Sequence, residues 1–153
     1  MPVAEPALAI GDRGLVWFAL AFATTQLVEV PIFALALRSA RPSRPSRPLA
    51  ARAAIAFGAS AITHPVVWYV MPRVTLALLV LVARGGFSLG VTAATLVYGA
   101  LAEGFAVVVE AAYLRAFGVR RALLWALFAN AASGLVGTAV VLLLGEGISA
   151  LQR

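Results

Sequence analysis

The stretch LVWFALAFATTQLVEVPIFALAL, residues 15–37, decides the fold class of this chain. Only one of its residues, Glu29, is charged. A helix needs about 20 mainly apolar residues to cross the hydrocarbon core of a bilayer. The stretch therefore predicts a transmembrane helix that carries a carboxyl group in its interior.

The whole chain has the composition of a membrane protein. Of its 153 residues, 63% are hydrophobic and 12% are charged, and the mean hydropathy is +0.99. A soluble domain is about half apolar and about one quarter charged. The absence of cysteine excludes disulfides, thiolate nucleophiles and sulfur-ligated metals. All 12 basic residues are arginines that fall between apolar stretches, so we expect no nucleic-acid partner.

Three further apolar stretches, residues 53–71, 90–114 and 122–144, are long enough for a crossing. The segment RVTLALLVLVAR, residues 73–84, is closed by an arginine at each end and is short for one. We interpret it as interfacial or re-entrant, or as the flared end of a neighbouring helix. The sequence thus predicts an all-α, polytopic membrane protein in which residues 1–153 form one domain, a bundle of four transmembrane helices. Five spans are the main alternative.

The distribution of arginines predicts the orientation in the membrane. The loop 38–52, which contains RPSRPSRP, and the loop around 115–121 together carry eight arginines, and four fall on the opposite side. Loops rich in arginine stay in the cytoplasm. We therefore expect a multi-pass protein of the cell (inner) membrane with both arginine-rich loops cytoplasmic and both termini outside. A fifth span would separate the two loops, so the rule favours four.

Each predicted span carries polar residues spaced so that they share one helical face. Lipid offers such residues no partners, so these faces should turn toward a common interior. The antiparallel order of the spans places Glu29, His64, Glu103 and Asn130 close together. We predict Glu29, His64 and Glu103 as the catalytic or exchanging groups. The predicted binding residues are Thr25, Gln26, Thr63, Glu110, Tyr113, Asn130 and Ser133.

The charges within the predicted spans do not balance where these polar residues converge. Three glutamates face one histidine, and the predicted spans contain no arginine or lysine. An ionised carboxylate at the centre of a bilayer costs about 3 kcal/mol on insertion scales. The glutamates must therefore be partly protonated or balanced by a metal ion or a cationic ligand. Such groups are candidates for a functional site.

Two prolines lie beside the predicted site, Pro31 near Glu29 and Pro65 next to His64. Proline lacks a backbone donor and frees the carbonyl of the residue four positions earlier. Freed carbonyls beside ionisable side chains build ion sites in broken membrane helices. We predict that His64–Pro65 marks a kink that lines a buried polar cavity. A proline kink without function explains either position about as well.

Three functional hypotheses fit these residues. The first is proton- or cation-linked transport at Glu29, His64 and Glu103. Four spans are few for a transporter. We therefore expect a homo-oligomer or a membrane-protein partner, in addition to contact with the lipid bilayer. The second is an intramembrane enzyme that uses glutamate and histidine acid–base chemistry, a divalent metal ion held by the same three residues, or Ser133 with His64 as its base. No HExxH or ExxH motif is present, which weakens the metal hypothesis. The third is a non-catalytic subunit of a larger membrane complex.

Two of the polar residues also have structural explanations. Glu110 can reach the nearer interface and pair with Arg115. Asn130 can hold neighbouring helices together by hydrogen bonds. Glu29 and Glu103 lie too deep to reach water, so these two residues carry most of the functional prediction.

Overall fold

The computed structural model describes residues 12–39 and 47–151, and residues 40–46 of the predicted RPSRPSRP loop lie outside this part. Long helices separated by short connections form the described chain. In chain order these are α1 (Asp12–Ala36) followed by a 3-10 turn (Leu37–Ser39), α2 (Leu49–Pro65), a π-helical turn (Val66–Val70), α3 (Met71–Arg84), α4 (Val91–Ala116) and α5 (Ala122–Leu151).

Four helices are long and apolar enough to cross a membrane. They cover Gly14–Ala36, Leu49–Arg84, Val91–Ala116 and Ala122–Val140, and each corresponds to one predicted span. Large apolar side chains cover their outer surface; Leu27, for example, is 77% exposed. The prediction of an all-α multi-pass membrane protein with four spans is therefore confirmed, and the outer surface contacts lipid.

Residues 73–84 continue the second span and form no separate segment. α2, the π-helical turn and α3 make one uninterrupted helix of 36 residues, Leu49–Arg84. At 1.5 Å per residue this helix is about 54 Å long, whereas the hydrocarbon core is about 30 Å thick. Of our three interpretations, the extended end of a neighbouring helix is the one that the structure shows, and α3 packs against α4.

Pro65 widens the helix instead of interrupting it. Because proline has no N–H, the regular ladder loses a donor at this position. The chain continues in a π-helical turn, in which the N–H of Met71 bonds to the carbonyl of Val66. π-helical turns inside α-helices are frequent at functional sites. The predicted break at His64–Pro65 is therefore a local change of helical register, and His64 itself remains in α2.

The connection between α4 and α5 is short because α4 ends in a glycine cap. Gly118 has a φ of +93°, and its N–H bonds to the carbonyl of Arg115 at 2.9 Å. The next N–H, of Val119, bonds to the carbonyl of Leu114 at 3.1 Å. Glycine is preferred at this position since the left-handed conformation costs it nothing. Val119 and Leu114 are then both buried, so the cap leads the chain directly into α5.

The four long helices form a ring in which α1 and α4 each pack against both α2 and α5. An apolar core fills one half of the bundle along its length. We call this half the arginine end, because Arg52 and Arg115 lie on the parts of the helices that form it. Alanine dominates this core, as expected where membrane helices approach closely. The buried core residues are Phe33, Ala34, Ala36, Leu37, Ala56, Ala59, Val107, Ala111, Leu114, Val119, Ala122, Ala126 and Ala129.

Two arginines tie the connections to the arginine end. The guanidinium of Arg47 donates to the carbonyl of Phe117 at 3.2 Å and lies 5.3 Å from the centre of the Phe117 ring. Arg52 donates to the carbonyl of Ala34 at 3.3 Å. These bonds satisfy carbonyl groups that the ends of α1 and α4 leave without helical partners. The arginine end is thus closed by polar contacts above its apolar core.

Candidate functional site

The half of the ring opposite the arginine end contains a cavity of about 610 Å³. All four long helices line it. The residues that the site uses are Thr25 and Glu29 of α1, Thr63, His64 and Trp68 of the second span, Tyr98, Glu103 and Glu110 of α4, and Asn130 and Ser133 of α5.

On each helix, a polar residue marks the boundary between the part that lines the cavity and the part that packs in the apolar core. On α1 the cavity residues end at Glu29, one turn before the core residue Phe33. On α5 the core ends at Ala129 and the cavity begins with Asn130. The polar residues therefore form the floor of the cavity, inside the bundle, where the apolar core begins.

Glu110 of α4 is buried in this floor, and both of its carboxyl oxygens accept hydrogen bonds. It is 1% exposed. The hydroxyl of Thr63 donates to its Oε1 at 2.8 Å, and the amide of Asn130 donates to its Oε2 at 2.5 Å. The alternative explanation for Glu110, in which it reaches the interface and pairs with Arg115, does not hold, because packing against α2 and α5 encloses the carboxyl group.

Glu29 of α1 is enclosed in the same way. It is also 1% exposed. The hydroxyl of Ser60 donates to its Oε2, and the hydroxyl of Ser133 donates to its Oε1 at 2.6 Å. The Thr63 hydroxyl also bonds to the carbonyl of Ser60 and the Ser133 hydroxyl to that of Asn130, which joins the partners of the two acids. We call the six connected residues the carboxyl network. They are Glu29, Ser60, Thr63, Glu110, Asn130 and Ser133.

The electrostatics of the carboxyl network are unbalanced. Within the described residues, the hydrogen-bond donors to Glu29 and Glu110 are hydroxyl and amide groups, all neutral. Hydroxyl and amide donors stabilise a carboxylate only in part, and two buried charges of the same sign repel each other. The network therefore requires a proton or a bound cation.

The other two predicted exchanging groups lie on the cavity wall. Glu103 is exposed and has no hydrogen-bond partner among the described residues. His64 lies between Phe18 and Phe22, with ring centres 5.2 Å from each. Its Nε2 is buried and has no hydrogen-bond partner in residues 12–39 and 47–151. Both residues share the cavity with Glu29, but neither belongs to the carboxyl network.

The predicted metal set does not form a cluster. Within residues 12–39 and 47–151, no three histidine, cysteine, aspartate or glutamate side chains are placed so that they could hold a metal ion. Glu29, His64 and Glu103 are included in this finding. A metal site built from these three residues therefore has no support in the geometry.

The predicted binding residues divide into two groups. Thr25 lines the cavity, and Thr63, Glu110, Asn130 and Ser133 belong to the carboxyl network. Gln26 and Tyr113, the other two predicted binding residues, do not line the cavity.

Tyr113 packs at the arginine end. Its ring centre is 4.9 Å from that of Phe117. A Cβ atom added to Gly58 would lie 2.6 Å from the Tyr113 hydroxyl oxygen, so α2 and α4 meet closely here. The role of Tyr113 in the structure is packing.

Ser60 is the network residue that the sequence prediction omitted. It precedes Thr63 by three positions, so both lie on the same face of α2. A signal for Ser60 was therefore present in its spacing. The hydroxyl of Ser133 bonds to Glu29, and no bond between Ser133 and His64 occurs in the described part of the chain. The serine–histidine pair of the enzyme hypothesis is not formed.

The hydrogen bond between Thr63 and Glu110 predicts a measurable loss of stability. Thr63→Val is expected to lower the free energy of unfolding by about 1 kcal/mol, since hydrogen bonds between membrane helices contribute about 0.6–2 kcal/mol. Thr75→Val is the matched control, because the buried Thr75 hydroxyl has no partner among the described residues and its loss should be neutral or stabilising. Thermal unfolding in detergent measures both. Equal shifts for the two variants would show that the Thr63–Glu110 bond contributes nothing.

Four membrane-length helices, which enclose a cavity with polar residues at its floor, define the chain as a multi-pass α-helical membrane protein. Comparisons with protein-family models, with curated proteins and with solved structures found no significant match. A function for this chain must therefore be inferred from the geometry of its site.

Proposed function

We propose that this protein carries out proton- or cation-linked transport across the cell (inner) membrane, with Glu29 and Glu110 as the exchanging groups. One observation supports this proposal above the others. Two buried carboxyl groups, which accept hydrogen bonds from neutral donors, lie where a cavity ends inside a membrane-spanning bundle. Carboxyl groups at such a depth are typical of proton and ion pathways.

The position of the cavity supports access from one side of the membrane. A proton or cation can reach the carboxyl network through the cavity, whereas the apolar core of the arginine end fills the rest of the bundle. We propose that the arginine end is cytoplasmic, because its loops carry most of the arginines. Both termini are then outside, and the cavity opens to the outside. Delivery to the cytoplasm requires the arginine end to open.

The proposed exchanging groups differ from our sequence prediction at two residues, Glu103 and His64. Glu110 takes the place of Glu103, because Glu110 is enclosed by hydrogen bonds and Glu103 is exposed. His64 remains beside the site as part of the cavity wall.

A second candidate function is that of a subunit in a larger membrane assembly. Its specific support is α3, an apolar helix in which only Thr75 is buried and which extends the second span to 36 residues. A second copy of the chain or another membrane protein would cover the free surface of α3, so the transport proposal is also compatible with an oligomer.

Reconstituted liposomes test the transport proposal. Purified protein is inserted into liposomes that contain a pH-sensitive dye, and an inward or outward gradient of an alkali or organic cation is imposed. We expect the internal pH to change in response to the cation gradient, at a rate above that of protein-free liposomes. An unchanged internal pH with every cation and both gradient directions would contradict the proposal. Co-purification of a stoichiometric partner together with that negative result would favour the subunit function.

A further inference from the structure

The size of the cavity favours a small organic molecule as its occupant. Its volume of about 610 Å³ lies within the range of about 300–1,000 Å³ that is typical of small-molecule sites. Apolar residues such as Leu20 and Val67 contribute to the lining beside the carboxyl network. An inorganic ion would use the carboxyl groups but would leave this apolar surface without contacts.

The charged groups of the cavity favour a cation. Three carboxyl-bearing residues line it, Glu29, Glu103 and Glu110, and its lining within the described residues includes no arginine. An anion would meet these carboxyl groups without any balancing charge. A monovalent cation would balance one carboxylate of the carboxyl network and would thereby reduce the repulsion between the two buried acids.

Aromatic residues form the wall of the cavity between its mouth and the carboxyl network. Trp17, Trp68 and Tyr98 belong to this aromatic wall. Trp68 is held in place by Phe18, whose ring meets it edge-on at 5.8 Å, and by His64, whose ring lies nearly parallel at 6.2 Å. The faces of tryptophan and tyrosine attract cations within about 6 Å of the ring. The wall thus suits a cation that also has apolar surface.

The aromatic wall is held by a contact within the protein and carries one buried polar atom that has no partner among the described residues. The Tyr98 hydroxyl donates to the carbonyl of Val67 at 3.3 Å, which ties α4 to the π-helical turn. The unpartnered Nε2 of His64 is a buried polar atom on the same wall. A preformed site binds without the cost of ordering its own side chains.

We infer that the cavity binds an amphipathic organic monocation, with its charged group toward the carboxyl network and its apolar body against the aromatic wall. This inference rests on the proposed function, since it names the class of cation that the same site takes. Glu29 and Glu110 supply the countercharge, and Trp68 contacts the body of the ligand.

Two ions of nearly equal size and shape but opposite charge test the inference. The full chain is placed in lipid nanodiscs, and binding of tetraphenylphosphonium and tetraphenylborate is measured by calorimetry against empty nanodiscs. We expect saturable binding of the phosphonium and no saturable binding of the borate. Saturable binding of both ions with similar affinity would overturn the inference, since the site would then select apolar bulk alone.

Variants locate the bound cation. Glu110→Gln is expected to weaken phosphonium binding about tenfold or more, because close buried charge pairs carry large coupling energies. Trp68→Leu should weaken it about 2- to 30-fold, the effect of one cation–π contact, while Trp68→Phe keeps most of the affinity. Gly104→Ala is the control; Gly104 does not line the cavity and has open space around its Cβ position. Unchanged affinity in both Glu110→Gln and Trp68→Leu would place the ligand elsewhere and overturn the inference.

The Trp68 variants keep the inference testable even when Glu110→Gln does not fold, because they leave the carboxyl network intact. The same measurements separate this inference from the transport proposal. Specific phosphonium binding without flux in liposomes supports the inference and contradicts transport. Flux of protons driven by inorganic cations, without phosphonium binding, overturns the inference and supports transport.

Discussion

Glu110→Gln is expected to reduce cation-dependent proton flux in liposomes to the rate of protein-free liposomes. Glutamine has nearly the shape of glutamate but cannot release a proton or carry a charge, so the exchange step is lost. The fold should persist, because the Thr63 hydroxyl can rotate and accept a bond from the new amide group. Dye fluorescence in liposomes measures the flux, and circular dichroism with size-exclusion chromatography checks the fold.

Two further variants make this expectation specific. Glu110→Asp keeps a carboxyl group and is expected to retain part of the flux. Glu103→Gln is expected to cause a smaller loss than Glu110→Gln, because Glu103 is exposed and lies outside the carboxyl network. Wild-type flux in Glu110→Gln, or a larger loss in Glu103→Gln, would contradict the assignment of Glu110 as an exchanging group.

Phe33→Ala is expected to make the membrane leaky to protons and to destabilise the protein. Phe33 is completely buried in the core of the arginine end, one turn beyond Glu29. The same change costs about 3–5 kcal/mol in a soluble core. We expect a smaller loss here, since lipid is as apolar as the core and the remaining cost is that of lost packing. The void left by the ring would connect the cavity toward the arginine end.

Phe128→Ala is the matched control for this variant. Phe128 lies on α5 beside the core residue Ala129, but its side chain is 59% exposed and faces outward. Passive proton leakage from liposomes and thermal unfolding in detergent measure the two effects. Equal leakage in both variants would show that the apolar core of the arginine end does not seal the bundle.

The number of spans could be predicted from the sequence because apolar length and the distribution of arginines together determine it. The segment 73–84 could not be placed in the same way. Arg73 and Arg84 resemble the boundaries of a separate element, and Pro65 predicts a kink within the span. In the structure, one π-helical turn follows Pro65 and the helix continues. Arg73 lies on the surface of this helix and donates a hydrogen bond to the carbonyl of Tyr69. Apolar periodicity does not reveal such a change of register.

The sequence could predict which residues of α4 line the cavity, but not which of them are buried. Glu103 and Glu110 are seven residues apart, so helical geometry places them on the same face of α4, and both line the cavity. Their exposure differs because the ring of helices is filled at the arginine end and hollow at the other. That difference depends on the packing of α2 and α5, which no single span encodes. The proximity of Arg115 in the sequence left a surface position open as an alternative for Glu110, and the packing of α2 and α5 excludes it.

Both carboxyl groups of the network are held by the same two helices. Glu29 accepts bonds from Ser60 of α2 and Ser133 of α5, and Glu110 accepts bonds from Thr63 of α2 and Asn130 of α5. We therefore expect occupancy of the two acids to be thermodynamically linked, and such linkage is reciprocal. Because like charges repel, a positive charge bound at one acid weakens the binding of a second positive charge at the other, so the expected cooperativity is negative.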